Sequence, residues 1–188
     1  MVIDRTKYMS ADEVSQLRQS AAFGASNKTG VRAWMVVDLA LSTGLRVSEM
    51  TLIKIEDIDL DRGLINVTRL KRRQKTQEPL AIGEALVSHL RRFIGSRDSG
   101  SLFIGERGPL TAQGLQRIWY KAIELAGLPK ELSIHSARHT IAVHLLKKTG
   151  NLRQVQKQLG HASPATTANM YADVSFEDMQ DGLNGLYE

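Results

Sequence analysis

Apolar residues recur at helical spacing along most of the chain. The first periodic segment opens with Ser10 and Glu13, which have the spacing of a helix capping box. A polar loop is expected over residues 24–30, and residues 31–42 are then almost continuously apolar. That run predicts a helix that is buried on most sides and ended by Gly44. A second, short helix is expected directly after this glycine.

The helical period is interrupted once, in the stretch between residues 54 and 82. Residues 55–68 predict two strands around an Asp-Arg-Gly turn, and residues 78–82 predict a third strand. The basic run RLKRRQK, residues 69–75, would then form the tip of the hairpin between the second and third strands.

The helical period returns in the C-terminal half of the chain. Helices are predicted over residues 85–94, 111–126, 136–149 and 152–159, and a glycine follows each of them. Ser163 and Pro164 have the residue types that begin a further helix. The whole pattern predicts an α+β fold that is mainly α-helical, with one small three-stranded antiparallel sheet.

The composition of the chain excludes some classes of function and favours others. The chain of 188 residues is long enough to bury a core, and its hydrophobic share of 42% is ordinary for a globular protein. It has no cysteine, which excludes disulfides, thiol catalysis and thiolate-bound zinc. No apolar run has membrane-spanning length, and the N-terminus lacks a secretory signal. The formal charge of +5, with five basic residues in the run 69–75, favours an anionic partner such as nucleic acid.

Two segments resemble metal sites but lack the residues that such sites need. Residues 57–63 carry acids at alternate positions like the start of a calcium loop, but Arg62 stands where the glycine belongs and Thr68 where the closing glutamate belongs. His135 and His139 have a zinc-compatible helical spacing, but Arg138 would put a cation beside the metal. We therefore predict no metal and no cofactor.

Two arginines stand in unusual places. Arg46 follows the glycine that ends the long apolar helix, and Glu49 comes one helical turn later, where its carboxylate would orient the guanidinium. Arg138 lies in the middle of another apolar helix, between His135 and His139. A surface ion pair is the plainer interpretation of the first arginine. Two planar guanidinium groups beside apolar sequence are, however, well suited to hold a phosphodiester.

Three ordered motifs extend this hypothesis. TGLRVSEM, HSARHTIAVHLL and LGHASPATTANMY resemble the three signature boxes of the tyrosine recombinase (phage integrase) family, and the resemblance covers residues 10–173. It implies that family's catalytic domain over residues 10–175, preceded by an N-terminal segment or linker remnant (1–9). A C-terminal tail that contacts another protomer would follow it (176–188).

The resemblance also implies the roles of individual residues. Tyr171 would be the nucleophile and His135 the general base, whereas Tyr8, Tyr120 and Tyr187 fit the nucleophile's place less well. Arg46, Arg138 and His161 would hold the phosphate. Glu49 would support Arg46, and His139 would have an orienting or packing role.

A lysine in the hairpin completes the family's catalytic set. Counting back from the Pro-Leu that opens the third strand favours Lys71 as the general acid over its competitor Lys75. The remaining hairpin cations would bind DNA; they are Arg69, Arg72, Arg73 and Lys75.

The function implied is site-specific DNA recombination, in the manner of an integrase, through a 3′-phosphotyrosyl intermediate that needs neither metal nor ATP. The alternatives are a type IB topoisomerase-like activity and a catalytically idle DNA-binding regulator of the same fold. The expected partner is double-stranded DNA, on which the chain would form a homotetramer, and free protein would be monomeric. We expect a cytoplasmic, DNA-associated protein with no membrane contact.

Overall fold

The computed structural model describes residues 8–71 and 74–160, apart from the side chains of residues 70, 71 and 74. The helices of this part are α1 Ala11–Phe23, α2 Lys28–Thr43, α3 Val47–Met50, α4 Glu84–Ile94, α5 Ala112–Leu125, α6 Ile134–Thr149 and α7 Leu152–Leu159. The strands are β1 Ile58–Asp59, β2 Leu64–Lys71, β3 Gln74–Ala81, β4 Ile104–Gly105 and β5 Gly108–Pro109. The predicted helix at Ser163 and Pro164 lies outside the described residues. None of the helices in the described part is long and apolar enough to cross a membrane.

Helix α2 is the centre of the fold. It packs against α1, α4, α5 and α6, and its residues 35–41 are all buried, as the apolar run predicts. The one charge in that run, Asp38, is buried with partners on two other helices. Its carboxylate lies 3.2 Å from a terminal nitrogen of Arg18 and 2.7 Å from Nδ1 of His89. These contacts offset the cost of placing a charged group inside the helical layer.

The start of α1 and the end of α2 follow the sequence signals. The Ser10 side chain accepts a hydrogen bond from the Glu13 backbone, and the Glu13 carboxylate accepts one from the Ser10 backbone, which confirms the capping box. Gly44 ends α2 with a φ of 65°, a conformation that glycine adopts without strain. A Cβ atom at this position would also lie only 2.5 Å from Ile141 and 2.8 Å from Leu159. The chain therefore turns from α2 towards α3 in direct contact with α6 and α7.

The predicted three-stranded antiparallel sheet is present, in the order β1-β2-β3. Strands β2 and β3 pair from Leu64 opposite Ala81 to Lys71 opposite Gln74. Ile65 and Val67 are fully buried on the face that packs against the helices. The mainly helical α+β fold is thus confirmed.

Several element boundaries differ from the sequence predictions. Helix α2 begins three residues earlier than predicted, because the Asn27 side chain accepts a hydrogen bond from the Gly30 backbone and caps it. Helix α6 begins at Ile134, two residues earlier than predicted, so His135 lies in its first turn. Strand β3 begins at Gln74, because main-chain pairing with β2 extends through polar residues that carry no hydrophobic alternation. The described residues of the basic run, 69–71 and 74–75, therefore belong to the paired strands at the end of the predicted hairpin.

Candidate active site

Arg46 and Glu49 form the first part of the candidate site, at the start of α3. The Glu49 carboxylate accepts hydrogen bonds from the Arg46 backbone nitrogen at 2.8 Å and from a terminal guanidinium nitrogen of Arg46 at 3.1 Å. Glu49 is 1% exposed, whereas 45% of the Arg46 side chain is exposed. The buried carboxylate therefore fixes a guanidinium whose outer side is open to a ligand, which is the arrangement expected from the sequence.

The same carboxylate holds a second arginine, Arg69 of strand β2. A terminal nitrogen of Arg69 donates to Glu49 at 3.0 Å, and the other donates to the backbone carbonyl of Gln158 at 3.2 Å. Arg69 is only 3% exposed. The expectation that it lies on an exposed hairpin tip and contacts DNA is therefore wrong, because β2 turns this position towards the core.

Arg138 is buried at the junction of three helices. One terminal nitrogen donates to the carbonyl of Gly44 at 2.8 Å and the other to the carbonyl of Leu159 at 2.7 Å. These carbonyls lie at the C-terminal ends of α2 and α7, where the helix dipoles favour a cation. Burial, and then the charge of Arg46, lowers the pKa of Arg138 to about 10, so the group stays charged at neutral pH. Arg138 is close enough to Arg46 for the two charges to interact, but it is only 2% exposed and so presents no open face to the phosphate that it was expected to hold.

His135 lies in the first turn of α6 and is exposed. Partial burial, followed by the charges of Arg138 and Arg46, lowers its pKa below the ordinary value. Its imidazole is therefore neutral at pH 7 and able to accept a proton. The ring of His139 meets it edge to face, with the ring centroids 4.8 Å apart. This contact fits the orienting or packing role expected for His139.

A pocket of about 300 Å³ joins these elements. Its lining residues come from the start of α3, the middle of α5 and the start of α6, and they include Arg46, Ser48, Gln116, Tyr120 and His135. Arg46 and His135, which are far apart in sequence, therefore share one concavity. The start of α6 adds backbone N–H groups of a helix N-terminus, a place where anions bind readily.

Tyr120, which fits the nucleophile's place less well than Tyr171 in the sequence, lines the pocket. The buried face of α5 carries Leu115, Trp119 and Ile123, whereas Tyr120 is 47% exposed. Gln116 precedes it by one turn and lines the same pocket. The signal was present in the sequence, because positions 116 and 120 fall beside the apolar stripe of this helix and not within it.

The other candidate residues fall at or beyond the limits of the described part. Lys71 is the last residue of β2, and its backbone pairs with Gln74; nothing further is described for it. Lys75, its competitor, is an exposed residue of β3. The remaining candidates lie outside the described residues; they are Arg72, Arg73, His161 and Tyr171.

Metal-ligating side chains are not clustered in the described residues. Within them, no group of three or more His, Cys, Asp or Glu side chains has the arrangement of a metal site. Residues 60–63 instead form the turn after β1, in which the Asp59 carboxylate accepts hydrogen bonds from the backbones of Asp61 and Arg62. Asp59 therefore acts as a turn residue.

The electrostatics of His135 lead to a first prediction. In the free protein we expect its imidazole to titrate below pH 6.5, and the substitution Arg46→Gln to raise that pKa because one of the repelling cations is removed. Proton NMR of the histidine rings measures this directly, with His135→Gln used to assign the resonance. The substitution Arg62→Gln, in the exposed turn before β2, is the control and should leave the titration unchanged. A His135 pKa above 6.5, or one indifferent to Arg46, would contradict the geometry described.

Comparison with known proteins gives a consistent result. The sequence model of the phage integrase family matches residues 7–178. The tyrosine recombinase XerC of Corynebacterium glutamicum is 32% identical over 187 residues, covering 96% of this chain and 59% of that protein. Among the first curated relatives, the chain spans between 48% and 60% of their length.

Solved structures agree with the sequence matches. The crystal structure of the XerA recombinase superposes with a TM-score of 0.79 at 27% identity, covering 96% of this chain and 65% of that one. The XerH site-specific recombinase, in a pre-cleavage complex with its difH substrate, gives a TM-score of 0.75 at 25% identity and covers 97% of this chain and 55% of that one.

Proposed function

The chain belongs to the phage integrase family, and on this premise we propose that it is the catalytic part of a tyrosine-type site-specific DNA recombinase. Its reaction cuts and rejoins DNA strands through a 3′-phosphotyrosyl intermediate. The catalytic domain spans residues 10–175, with a linker segment before it and a protomer-contact tail at residues 176–188. The relatives reported above are recombinases, which favours strand exchange over a topoisomerase or an idle regulator.

One observation carries the proposal. A guanidinium and an imidazole from distant parts of the chain, Arg46 and His135, line one pocket, and the buried cation Arg138 is close enough for its charge to lower the pKa of His135. A pocket of this size with one exposed guanidinium in its lining and a second, buried one nearby matches a phosphate group better than a neutral ligand. The low pKa of His135 leaves it free to act as a base beside that phosphate.

The first step joins the protein to DNA. The hydroxyl oxygen of Tyr171 attacks the scissile phosphorus and passes its proton to His135. The bond between phosphorus and the 5′-oxygen breaks, and Lys71 supplies the proton that this oxygen needs to leave as a hydroxyl. Rejoining is the reverse: a 5′-hydroxyl attacks the phosphotyrosine, and the phenol is restored. The phosphodiester energy is kept in the covalent bond, so no ATP is consumed.

The cations stabilise the charge that builds on the phosphate. Arg46, held from behind by Glu49, presents its exposed side to one non-bridging oxygen, and His161 contacts the phosphate from the third motif. Arg138 adds positive charge from the low-dielectric interior without touching the phosphate, because it is buried and its terminal nitrogens are bonded to the Gly44 and Leu159 carbonyls. Together these groups perform the charge neutralisation that metal ions perform in many nucleases.

Other cations of the basic run hold the DNA backbone. Arg72, Arg73 and Lys75 are the residues we assign to this contact, and Arg69 is removed from the set because it is buried. We further propose a homotetramer on double-stranded DNA, a monomer when free, and a cytoplasmic location together with DNA. The pre-cleavage complex of the related XerH with difH supports duplex DNA as the partner.

Covalent capture tests the proposed function. The protein is incubated, with EDTA and without ATP, with a library of duplexes that have randomised sequences and a nick that lets the cut fragment diffuse away. We expect an adduct that survives detergent, whose DNA can be sequenced to read the preferred site. Tyr171→Phe should abolish the adduct completely, because the phenylalanine has no attacking oxygen.

The matched control is another tyrosine-to-phenylalanine change, Tyr8→Phe, before the proposed catalytic domain, which should leave the yield unchanged. Failure of the unaltered protein to form any adduct under these conditions would refute the proposal. So would an adduct that persists at the same yield in Tyr171→Phe.

A further inference from the structure

A buried arginine occupies a place in the sheet where an apolar residue is expected. Successive residues of a strand alternate between the two faces of a sheet, and on β2 the inward positions begin with Ile65 and Val67, both fully buried. The third inward position is Arg69, which is 3% exposed. A charged group at such a depth is tolerated only with partners, so its contacts reveal what it does.

Arg69 contacts three different elements. Its terminal nitrogens bond Glu49 of α3 at 3.0 Å and the Gln158 carbonyl of α7 at 3.2 Å, and its Nε lies 3.6 Å from the carboxylate of Glu78 on β3. Since Glu49 also holds the guanidinium of Arg46, the two arginines share one carboxylate. A shift of the β2–β3 hairpin would therefore move Glu49 and, with it, the guanidinium of Arg46.

The contact with α7 is unusually close. Gly160, directly after the helix, has a φ of 63°, and a Cβ there would lie 2.8 Å from the central guanidinium carbon of Arg69. The neighbouring carbonyl, that of Leu159, is held by Arg138 at 2.7 Å. Two guanidinium groups thus donate hydrogen bonds to the last carbonyls of α7, at the negative end of its helix dipole. His161 directly follows Gly160 in the sequence.

We propose that Arg69 is a positioning residue of the active site and not a DNA contact. It ties three parts into one rigid unit: the strand that carries Lys71 two residues later, the end of α7 that leads to His161, and the Arg46–Glu49 pair. Its effect on the reaction passes through the placement of Lys71 as the acid. The inference rests on the proposed function, because it uses the role given there to Lys71.

DNA with an altered leaving group tests whether Arg69 acts through the placement of Lys71. DNA whose 5′-bridging oxygen is replaced by sulfur needs no general acid, since a thiolate leaves unprotonated at neutral pH. With the DNA recovered by covalent capture, Arg69→Met should slow adduct formation on normal DNA by about 10- to 100-fold. Its affinity for that DNA should change less than about twofold, since no phosphate contact is lost. On the sulfur substrate most of the lost rate should return.

Two further variants keep the test decisive. Arg69→Lys retains a buried cation beside Glu49 but lacks the planar fork that reaches three partners, so it should show the same rescue even if Arg69→Met does not fold. Arg62→Met, an exposed arginine of the turn before β2, is the matched control and should behave like the unaltered protein.

Three results would overturn the inference. The first is weaker DNA binding with an unchanged rate of cleavage in the bound complex, which would make Arg69 a DNA contact. The second is an unchanged rate in both variants. The third is a slow reaction that sulfur does not restore, although it restores Lys71→Ala. If Lys71→Ala itself is not restored, the acid assigned under the proposed function is wrong, so the two failures can be distinguished.

Discussion

Replacing Arg46 by alanine is expected to lower the rate of covalent adduct formation by about 10²- to 10³-fold, the usual cost of losing one preorganised donor to a transition-state oxygen. The reason is geometric: Glu49 orients this guanidinium from the buried side and leaves its outer side facing the pocket. The fold should be retained, because Glu49 keeps its bond to Arg69. Single-turnover cleavage of the captured DNA gives the rate, and thermal unfolding checks the fold.

A neutral phosphate separates charge stabilisation from any other role of Arg46. In DNA with a methylphosphonate at the scissile position, the oxygen charge that Arg46 would stabilise is absent. The ratio of the unaltered to the Arg46→Ala rate should then fall below about tenfold. Arg62→Ala, in the exposed turn before β2, provides the control for a lost surface charge. An Arg46 effect of the same size on both substrates would contradict the assignment.

Replacing Glu49 by alanine is expected to destabilise the protein strongly. Glu49 is 1% exposed and accepts bonds from Arg46 and Arg69, so its removal leaves the Arg69 guanidinium buried without its shortest ionic partner. Breaking one partner of a buried ion pair costs about 3–5 kcal/mol. Urea unfolding should show a loss of this size, and cleavage should fall because Arg46 also loses its support.

The double variant Glu49→Ala with Arg69→Met provides the control. Removing both charges avoids the unpaired ion, so the double variant should be more stable than Glu49→Ala alone. The conservative Glu49→Gln should lie between the single variant and the unaltered protein, since an amide oxygen still accepts hydrogen bonds. A Glu49→Ala protein within about 1 kcal/mol of the unaltered one would show that this carboxylate is not a structural centre.

Local signals in the sequence were sufficient for most of the secondary structure. Ser10 and Glu13 specify a helix start through their own side chains, and Gly44 specifies a helix end through its backbone freedom. These interactions are complete within a few residues, so they can be predicted without the rest of the fold. The early start of α6 was missed because Ser133, its N-cap, makes no side-chain capping bond.

Tertiary contacts determined what the sequence could not supply. A basic run predicts surface charge, and Arg69 differs only because Glu49 and the end of α7 lie against that position of β2. Arg138 likewise links the C-terminal ends of α2 and α7, because the carbonyls of Gly44 and Leu159 accept hydrogen bonds from its guanidinium. The family motifs supplied the candidate residues, but packing around α2 decided which of them share a pocket.

The central claim is that Arg46, His135 and Arg138 act on one phosphate of duplex DNA beside residue 171. The most direct test is a crystal structure of the Tyr171→Phe protein bound to an uncleaved duplex with the captured sequence. The account predicts Arg46 within about 3 Å of a non-bridging oxygen of one phosphate, with His135 next to the ring at position 171. Arg138 should lie behind that phosphate, and Phe at position 171 should face the phosphorus. A duplex bound with its backbone away from the pocket, or with these side chains on different phosphates, would contradict it.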